Sequence, residues 1–280
     1  MQCALKQEPL VSIVIPTYKS AKTLSSVLTS IKGQTYGNIE VIVVDRSTND
    51  GTRECVEGNG YRYIPIESER SKALNLGARE ARGEVLYFIG SDYVLAPEVV
   101  EKGVWAIVEN GAQAVIVPHV IAPTGFWSRV RWLEKTCYVG DESIEAARFM
   151  LRGAFFEAGG FDESMSAYEE HDLHNRLLKT GHVIVRLQGA KENNIGEPNS
   201  LSAYAMKYYY YGQTIGRYLK KYRGRSVKQM TPVRPAFIRH RKQFARHPSL
   251  TAGFALYQVV RYLSTGVGLV AGRVKEVDRG

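Results

Sequence analysis

The sequence predicts an α/β protein with a doubly wound, mostly parallel β-sheet flanked by helices. Short runs of apolar, β-branched residues recur through the first 120 residues, and amphipathic helical patterns lie between them. Runs that are apolar at every position are typical of strands buried on both faces, as in a parallel sheet. Their alternation with helices indicates right-handed βαβ units.

Five segments have the composition of such strands. In chain order they are VSIVI at 11–15, EVIVVD at 40–45, the weaker YRYIPI at 61–66, EVLYFI at 84–89 and QAVIV at 113–117. A doubly wound sheet binds its ligands beyond the carboxyl ends of its strands. Binding and catalytic groups are therefore expected just after residues 15, 44 and 89.

Three helices are predicted between these strands. Ser20 is placed to cap the first helix. The apolar residues of that helix follow the spacing i, i+3, i+4, i+7 and are Leu24, Val27, Leu28 and Ile31. The second helix begins at Ser71, and the third runs from about Pro97 to Glu109.

The pattern loosens beyond residue 120. We expect a helix over 144–160 that ends at Gly159-Gly160, a helix over 169–180, a last strand over 183–187 and helices from about residue 203 onward. These patterns predict an α/β domain over 1–200. The remaining residues, 201–280, are expected to form a basic, aromatic, helical tail.

The cysteines and the N-terminal residues indicate the cellular compartment of the protein. The cysteines Cys3, Cys55 and Cys137 have neither metal-ligand spacing nor a plausible disulfide framework, which favours reduced thiols. The first 18 residues lack the basic flank and the long apolar run of a signal peptide, and Pro16 interrupts them. We therefore expect the protein in the cytoplasm.

Polar groups follow the strands at the edge where ligands are expected. Pro16-Thr17-Tyr18 follow the first strand, Asp45 ends the second, and Gly90-Ser91-Asp92 follow the fourth. A carboxylate at position 45 can accept from a base N–H or a ribose hydroxyl, and one at position 92 can hold Mg²⁺ or Mn²⁺. Turn and helix-capping roles are the alternatives, above all for Asp50.

A cluster of acidic residues begins at Gly159. Five acidic side chains fall within eleven positions, at Asp162, Glu163, Glu169, Glu170 and Asp172. Each negative charge at a helix N-terminus is favourable by roughly 0.3–1 kcal/mol, which explains one or two of them better than all five. The cluster is therefore a candidate catalytic segment.

These segments, in this order, resemble glycosyltransferase family 2, whose members have the GT-A fold. The resemblance covers about residues 10–190. It includes VSIVIPTY, VVDRSTNDGT, ERSKALNLGAREARGE, FIGSDYVLAPE, GGFDE and EEHDLHNRL. Each segment is weak alone, whereas six in the order and spacing of the family form a specific pattern.

The resemblance implies a role for each matching position. It assigns nucleotide-sugar binding to Pro16, Thr17, Tyr18, Asp45, Arg70, Lys72, Ser91 and Asp92. Within this set, Arg70 and Lys72 correspond to contacts near the diphosphate. Asp92 matches the second Asp of the Asp-x-Asp signature and would bind the metal, Mn²⁺ or Mg²⁺. Glu170 matches the catalytic base, and Glu169 holds the first acidic position of that pair.

The sequence departs from the family pattern at three places. Gly90 stands where the first Asp of the signature is usual, so either metal affinity would be weaker or metal binding would depend more on the diphosphate. Glu170 replaces the more usual Asp and is one methylene longer. Gln213 and Arg217 are four residues apart with no Trp following, unlike the Gln-x-x-Arg-Trp signature of processive members, so we expect a non-processive enzyme.

The resemblance therefore predicts an inverting transferase. It implies a catalytic domain over 1–200, with nucleotide-sugar binding in 10–120 and the acceptor part in 121–200. The donor would be a nucleoside-diphosphate sugar, with UDP favoured and GDP next, and the acceptor a hydroxyl of a lipid-linked or cell-surface glycan. Two alternatives stay open. One is a polyprenyl-phosphate sugar synthase, whose acceptor is the lipid phosphate. The other, motivated by Gly90, is a sugar-nucleotide-binding protein that has lost catalysis.

The tail has the composition of a membrane-associating segment. The net charge of the chain is +9, and 217–246 holds eleven Lys or Arg residues without an Asp or Glu. A tyrosine-rich stripe precedes and enters this segment, formed by Tyr204, Tyr208, Tyr211, Ile215, Tyr218 and Tyr222. It would either pack on the catalytic domain or lie at a membrane surface.

Residues 250–271 add a mostly apolar helix to the basic segment. Its apolar line consists of Leu256, Val259, Val260, Leu263, Val267 and Val270. We expect it to lie in the interface of an anionic membrane, peripherally on the inner face, because Arg261 opposes a span. A packed soluble helix and a span are the alternatives. No nucleic-acid-binding module is recognisable, so nucleic acid is not an expected partner.

Overall fold

The computed structural model describes residues 8–46, 49–141, 144–165, 167–222, 231–232 and 234–277, with side chains up to residue 274. The chain divides into two compact units. Unit 1 comprises Met1–His119, Ala146–Glu163 and Glu169–Gly196, and unit 2 comprises Val120–Glu145, Ser164–Tyr168 and Glu197–Gly280. The functional boundaries expected at residues 120 and 200 stay predictions.

The strands alternate with helices along the chain, as predicted. The strands are β1 (Val11–Thr17), β2 (Ile39–Asp45), β3 (Arg62–Pro65), β4 (Val85–Phe88), β5 (Tyr93–Leu95), β6 (Ala114–Ile116), β7 (His119–Ile121), β8 (Phe149–Leu151), β9 (Ile184–Arg186) and β10 (Glu192–Asn194). The helices are α1 (Ala21–Lys32), α2 (Thr52–Gly58), α3 (Arg70–Glu80), α4 (Val99–Val108), α5 (Phe126–Thr136), α6 (Arg152–Glu157), α7 (Glu169–Lys179), α8 (Leu201–Lys221), α9 (Pro235–Arg239), α10 (Arg241–Arg246) and α11 (Pro248–Val277).

A seven-stranded sheet in the order β3-β2-β1-β4-β8-β6-β9 forms the centre of unit 1. The pairs β3–β2, β2–β1, β1–β4 and β6–β9 are parallel, whereas β8 runs antiparallel to both of its neighbours. Ile13 and Ile15 of β1 pack in one apolar cluster and Val14 packs in another. Both faces of the sheet are therefore covered, and the predicted α/β fold class is confirmed.

The first predicted helix is confirmed, but its cap differs from the expectation. Leu24, Val27, Leu28 and Ile31 are all buried in α1. Ser20 occupies the N-cap position without a capping hydrogen bond. Its hydroxyl instead donates to the carbonyl of Tyr18 and pairs with the hydroxyl of Ser91. Ser20 therefore connects the loops that follow β1 and β4.

The helix predicted over 144–160 is wrong. This segment contains the strand β8 followed by the short helix α6. Phe149 and Met150 are fully buried, because β8 inserts between β4 and β6 and packs on both faces of the sheet. The strand over 183–187 is confirmed as β9, but it is not the last. The polar strand β10 follows and pairs antiparallel with β5.

Unit 2 is largely helical. The long helices α8 and α11 pack along each other, and α5 packs on α11. Tyr204, Ile215 and Tyr218 of the predicted tyrosine stripe are buried among the side chains of this unit. The stripe therefore contributes part of the core of unit 2, together with residues of α5 and α11.

Candidate active site

The carboxylate of Asp45 is fully buried at the end of β2. Its two oxygens accept from the Thr17 hydroxyl at 2.7 Å and from the Tyr63 hydroxyl at 3.0 Å. Burial, together with the hydrogen bond to Asp45, raises the pKa of Tyr63 to about 12. The two predicted groups Thr17 and Asp45 thus meet at the carboxyl edge, where β1 and β2 run parallel and in register.

A cleft of about 590 Å³ opens beside this pair, beyond the ends of β1 and β2. It is lined by Tyr18, Lys19, Ala21, Lys22, Arg46, Asn49 and Asp50. The Arg46 guanidinium lies 5.2 Å from the centre of the exposed Tyr18 ring. Three cationic side chains around an aromatic ring suit an anionic ligand with a flat base.

Asp50 has the local role that its position in the sequence suggested. Its Oδ1 accepts from the backbone N–H of Thr52 at 3.2 Å and from the Thr52 hydroxyl at 2.6 Å. Such a pattern is typical of a capping turn at the start of a helix, here α2.

Asp92 lies just beyond β4 and is held in place from three sides. Its Oδ2 accepts from the Asn194 amide of β10 at 3.1 Å. A Cβ at Gly196 would lie 2.5 Å from that same oxygen. A Cβ at Gly90 would lie 2.7 Å from Oδ1 of Asp92 and 2.6 Å from the Tyr93 ring. The glycine at position 90 is therefore a steric requirement of this arrangement.

Arg70 connects the first turn of α3 with the first turn of α7. Its Nε donates to Oε1 of Glu169 at 2.9 Å, and its Nη2 donates to Oε1 of Glu170 at 3.1 Å. The side chain of Glu169 is only 7% exposed, whereas that of Glu170 is 29% exposed. Glu170 is therefore the member of the pair that an acceptor can reach.

The two neighbouring carboxyl groups differ in pKa. Burial raises the pKa of Glu169, and the charge of Glu170 adds to this effect against the opposing charge of Arg70. Burial also acts to raise the pKa of Glu170, but Arg148 and Arg70 outweigh it and hold this pKa below its ordinary value. Glu170 is consequently ionised at neutral pH, as a general base must be.

Two residues near Glu170 were not predicted from the sequence. They are Arg148, which lies beside the Glu170 carboxylate, and Glu192, which binds Arg148. Arg148 is buried just before β8, where its Nη2 donates to the buried Glu192 and its Nε lies 3.9 Å from Oε2 of Glu170. Its guanidinium also lies 5.0 Å from the centre of the Tyr93 ring. An Arg directly before the apolar run Phe149-Met150-Leu151 was the available signal, but the predicted helix hid it.

Side-chain contacts, together with neighbours in the chain, connect the regions around Asp45, Glu170 and Asp92 within unit 1. Arg46, next to Asp45, forms an ion pair at 3.2 Å with Glu69, the residue before Arg70. Arg70 donates to Glu170, and Glu170 pairs with Arg148. The Arg148 guanidinium in turn contacts the ring of Tyr93, the neighbour of Asp92.

Two other predicted residues lie outside this series. Pro16 lies within β1 opposite Val44. Lys72 is exposed on α3, and no contact links it to these carboxylates in the described part of the chain.

The donor groups for a metal are sparse. Among the residues that the structure describes, no cluster of three or more His, Cys, Asp or Glu side chains could hold a metal ion. Asp92 offers one fixed carboxylate beyond β4. Mg²⁺ and related ions are commonly held by one or two carboxylates together with substrate phosphates. The site therefore fits a metal that arrives with a diphosphate better than one bound by protein alone.

We expect Arg148 to control the acidic limb of the pH profile. The ordinary glutamate value is 4.5, and the pKa of Glu170 lies below it. The wild-type kcat/KM should therefore fall only below about pH 4.5, as Glu170 becomes protonated. Removing Arg148 takes away one of the cations that lower this pKa, so the limb should move to higher pH.

The variant for this measurement is Arg148→Met combined with Glu192→Gln, because Arg148→Met alone would leave the buried Glu192 carboxylate without its partner. Glu192→Gln alone is the control and should leave the limb close to its wild-type position. An unchanged limb in the double variant would show that Arg148 does not act on Glu170.

The mostly parallel sheet flanked by helices resembles the GT-A fold of solved glycosyltransferases. The chain belongs to glycosyl transferase family 2, whose family model matches residues 12–161. The fold and the family expected from the sequence are therefore confirmed.

The curated relatives are glycosyltransferases from bacteria and archaea. An uncharacterized glycosyltransferase of Rickettsia felis is 28% identical over 61% of this chain and 32% of its own length. Glycosyltransferase AglE of Haloferax volcanii is 33% identical over 38% of each chain. The chain thus spans about a third of the length of these relatives.

Solved structures show the same fold. The mannosyltransferase PcManGT from Pyrobaculum calidifontis, in complex with GDP-Man and Mn²⁺, has a TM-score of 0.61 at 18% identity and covers 97% of this chain and 88% of its own. Residues 1–349 of S. aureus TarS, in complex with UDP-GlcNAc, have a TM-score of 0.57 at 15% identity and cover 76% and 72%.

Proposed function

We propose that this protein is an inverting glycosyltransferase. It moves a sugar from a nucleoside-diphosphate sugar, with UDP favoured, to a hydroxyl group of a lipid-linked or cell-surface glycan. The observation that carries the proposal is the partly exposed Glu170 carboxylate, which Arg70 and Arg148 keep ionised, in the same unit as Asp45 at the end of β2 and Asp92 just beyond β4.

The reaction is a single displacement at the anomeric carbon. Glu170 takes the proton of the acceptor hydroxyl while the acceptor oxygen forms its bond to that carbon. The bond from the anomeric carbon to the diphosphate oxygen breaks, and its electron pair leaves with the nucleoside diphosphate. Attack from the face opposite the leaving group inverts the configuration.

Different residues at the edge of the sheet bind different parts of the donor. Thr17 and Asp45 hold the base and ribose, beside the cleft with Tyr18. Ser91 and Asp92 lie beyond β4, on the side of the diphosphate, with Arg70 and Lys72 as cationic groups of α3. A divalent metal, Mn²⁺ or Mg²⁺, would be held by Asp92 and would supply charge neutralisation for the departing diphosphate.

A hydroxyl acceptor is favoured over a lipid phosphate. A phosphate acceptor is already ionised and needs no base, whereas Glu170 is accessible and charged. Two structural neighbours were solved with nucleotide sugars, UDP-GlcNAc and GDP-Man, which supports this class of donor.

Thermal-shift screening of UDP- and GDP-sugars, with and without Mn²⁺ or Mg²⁺, tests the donor. A ligand that binds only the folded protein stabilises it by about 2.7 kcal/mol at one hundred times its Kd. We expect a UDP-sugar with metal to raise the melting temperature most. Transfer of labelled sugar to glycan-bearing lipids, but not to polyprenyl phosphate, tests the acceptor. No shift and no transfer with any nucleotide sugar would refute the proposal.

A further inference from the structure

The outward face of α11 is apolar along most of the helix. Six large side chains are between 50% and 66% exposed, namely Leu256, Val259, Leu263, Val267, Val270 and Val274. At 3.6 residues per turn they fall within an arc of about 80°, and they extend over ~27 Å of helix. We refer to these six residues as the α11 stripe. Isolated exposed apolar residues are ordinary, whereas a continuous stripe marks an interaction surface.

Two polar side chains in the middle of α11 point to the opposite side, whereas the exposed Arg273 lies near the end of the stripe. Arg261 is buried, and its Nη1 donates to Oε1 of the buried Glu134 at 2.7 Å. Gln258 is buried as well, and its amide donates to the carbonyl of Pro232 at 3.3 Å. A helix at a water-exposed surface has the reverse polarity, with apolar residues inside and charged residues outside. The arrangement of α11 therefore fits an apolar environment outside the stripe.

The contact between α8 and α11 has a feature common among helices in membranes. Gly212 and Gly216 of α8 and Gly268 and Gly272 of α11 each form a Gly-x-x-x-Gly pair. A Cβ at Gly268 or Gly272 would collide with the carbonyl oxygens of α8 residues 209 and 213. Small residues that let two helix backbones approach this closely are enriched in membrane helix pairs.

The outward face of α11 is not covered by the part of the chain that the structure describes. Residues 248–274 are long and apolar enough to cross a membrane, and the most apolar stretch has a mean hydropathy of 1.2. Only 11% of that stretch is buried, whereas the core helix of a soluble protein is mostly buried. One side of α11 is nevertheless tied to α5 by the pair Arg261–Glu134. That attachment suits a helix lying along a membrane surface.

The charge next to α11 indicates which surface this is. The segment 217–246 has eleven cationic residues and no acidic residue of its own. Arg241, Lys242 and Arg246 are exposed on α10, which ends two residues before α11 begins. Basic residues beside an amphipathic helix attract it to anionic lipid headgroups.

The geometry points to α11 as a membrane-docking helix. The α11 stripe rests at the boundary of headgroups and acyl chains of an anionic phospholipid bilayer, and the basic residues before it contact the phosphates. This inference does not depend on the transfer reaction. From the sequence we expected a peripheral protein on the inner face of the cell membrane. The α11 stripe is the surface that would make this contact.

Flotation of the full chain with lipid vesicles tests the inference. We expect the wild-type protein to float with vesicles of phosphatidylcholine and phosphatidylglycerol, and less with phosphatidylcholine alone or at high salt. Leu263→Glu combined with Val267→Glu should lower the bound fraction at least ~10-fold, because two charges then face the lipid. The matched control is Leu178→Glu with Val183→Glu, since these residues of unit 1 are 45% and 50% exposed.

The outcomes separate lipid from a second copy of the chain. Circular dichroism should show that both variants keep their helices, because all four side chains are exposed. Wild-type protein that fails to float on anionic vesicles overturns the inference, and so does equal flotation of the stripe variant and the control. Light scattering without lipid tests whether the stripe instead binds a second copy of the chain. A lipid-free dimer that the stripe substitutions convert to monomers, with flotation unchanged, would assign the stripe to a second copy.

Discussion

Replacing Glu170 by Gln is expected to lower kcat by about 10²- to 10⁴-fold, because general-base catalysis typically contributes that factor. The amide has nearly the same shape and can still accept from Arg70, but it cannot take the proton of the acceptor hydroxyl. The melting-temperature shift caused by the donor should therefore stay close to the wild-type shift. Initial rates of sugar transfer at saturating donor measure the effect.

Glu169→Gln is the matched comparison for this variant. Glu169 binds the same guanidinium at 2.9 Å, but its side chain is only 7% exposed and its pKa is raised. We expect its loss to act through the position of Arg70 and to lower kcat less than Glu170→Gln does. If Glu170→Gln turned over at the wild-type rate, Glu170 would not be the base.

Glu134→Ala is expected to destabilise unit 2 by about 3–5 kcal/mol, the usual cost of leaving buried charges without their partner. Glu134 is fully buried between Arg131 at 2.6 Å and Arg261 at 2.7 Å, and it also accepts from the Tyr138 hydroxyl at 2.8 Å. Without it, the buried Arg261 guanidinium loses its carboxylate partner, and the half-buried Arg131 is left with its longer ion pair to Glu197, at 3.8 Å. Urea unfolding followed by tryptophan fluorescence measures the change, since Trp127 and Trp132 of α5 are close in sequence to Glu134.

The control for Glu134→Ala is Glu57→Ala, which removes an exposed ion pair with Arg53 in α2. Exposed pairs contribute about 0–1 kcal/mol, so this variant should unfold almost like the wild type. Equal unfolding midpoints for the two variants would show that the buried pair has no net structural role.

The same carboxylate makes the stability of unit 2 depend on pH. Burial acts to raise the pKa of Glu134, but the charges of Arg131 and Arg261 outweigh it and lower this pKa well below its ordinary value. A lowered folded-state pKa gives stability that is present above the unfolded value of 4.5 and is lost as the pH falls through the folded value. The stability difference between wild type and Glu134→Ala should therefore shrink as the pH falls from 4.5.

Local sequence was enough to predict the framework of the site. Strands such as β1 and β2 are apolar at nearly every position, and a strand with that composition needs no further information to be placed inside a parallel sheet. The end of each strand then fixes where Asp45 and Asp92 stand. The acidic cluster that extends into α7 marked a candidate catalytic segment, and the resemblance to family 2 singled out Glu170 within it.

The missing parts of the site depend on partners that are distant in the chain. β8 is a strand because β4 and β6 lie on either side of it, and its sequence alone allows a helix equally well. β10 is polar because Glu192 binds Arg148, a residue 44 positions earlier. Similarly, the requirement for Gly90 arises from the position of the Tyr93 ring. Neither the periodicity nor the composition of a local segment contains these contacts.

For α11, the sequence predicted that the helix has an apolar side, but only its packing determined which way that side faces. The spacing of its Leu and Val residues, set by the 3.6-residue turn, was sufficient to place them on one side of a helix. Whether that side faces the protein or its surroundings was decided by Glu134 of α5, which binds Arg261 and turns the polar side of α11 inward. The physical reason is that turning Arg261 outward would remove it from the buried Glu134 carboxylate, and breaking a buried ion pair costs about 3–5 kcal/mol.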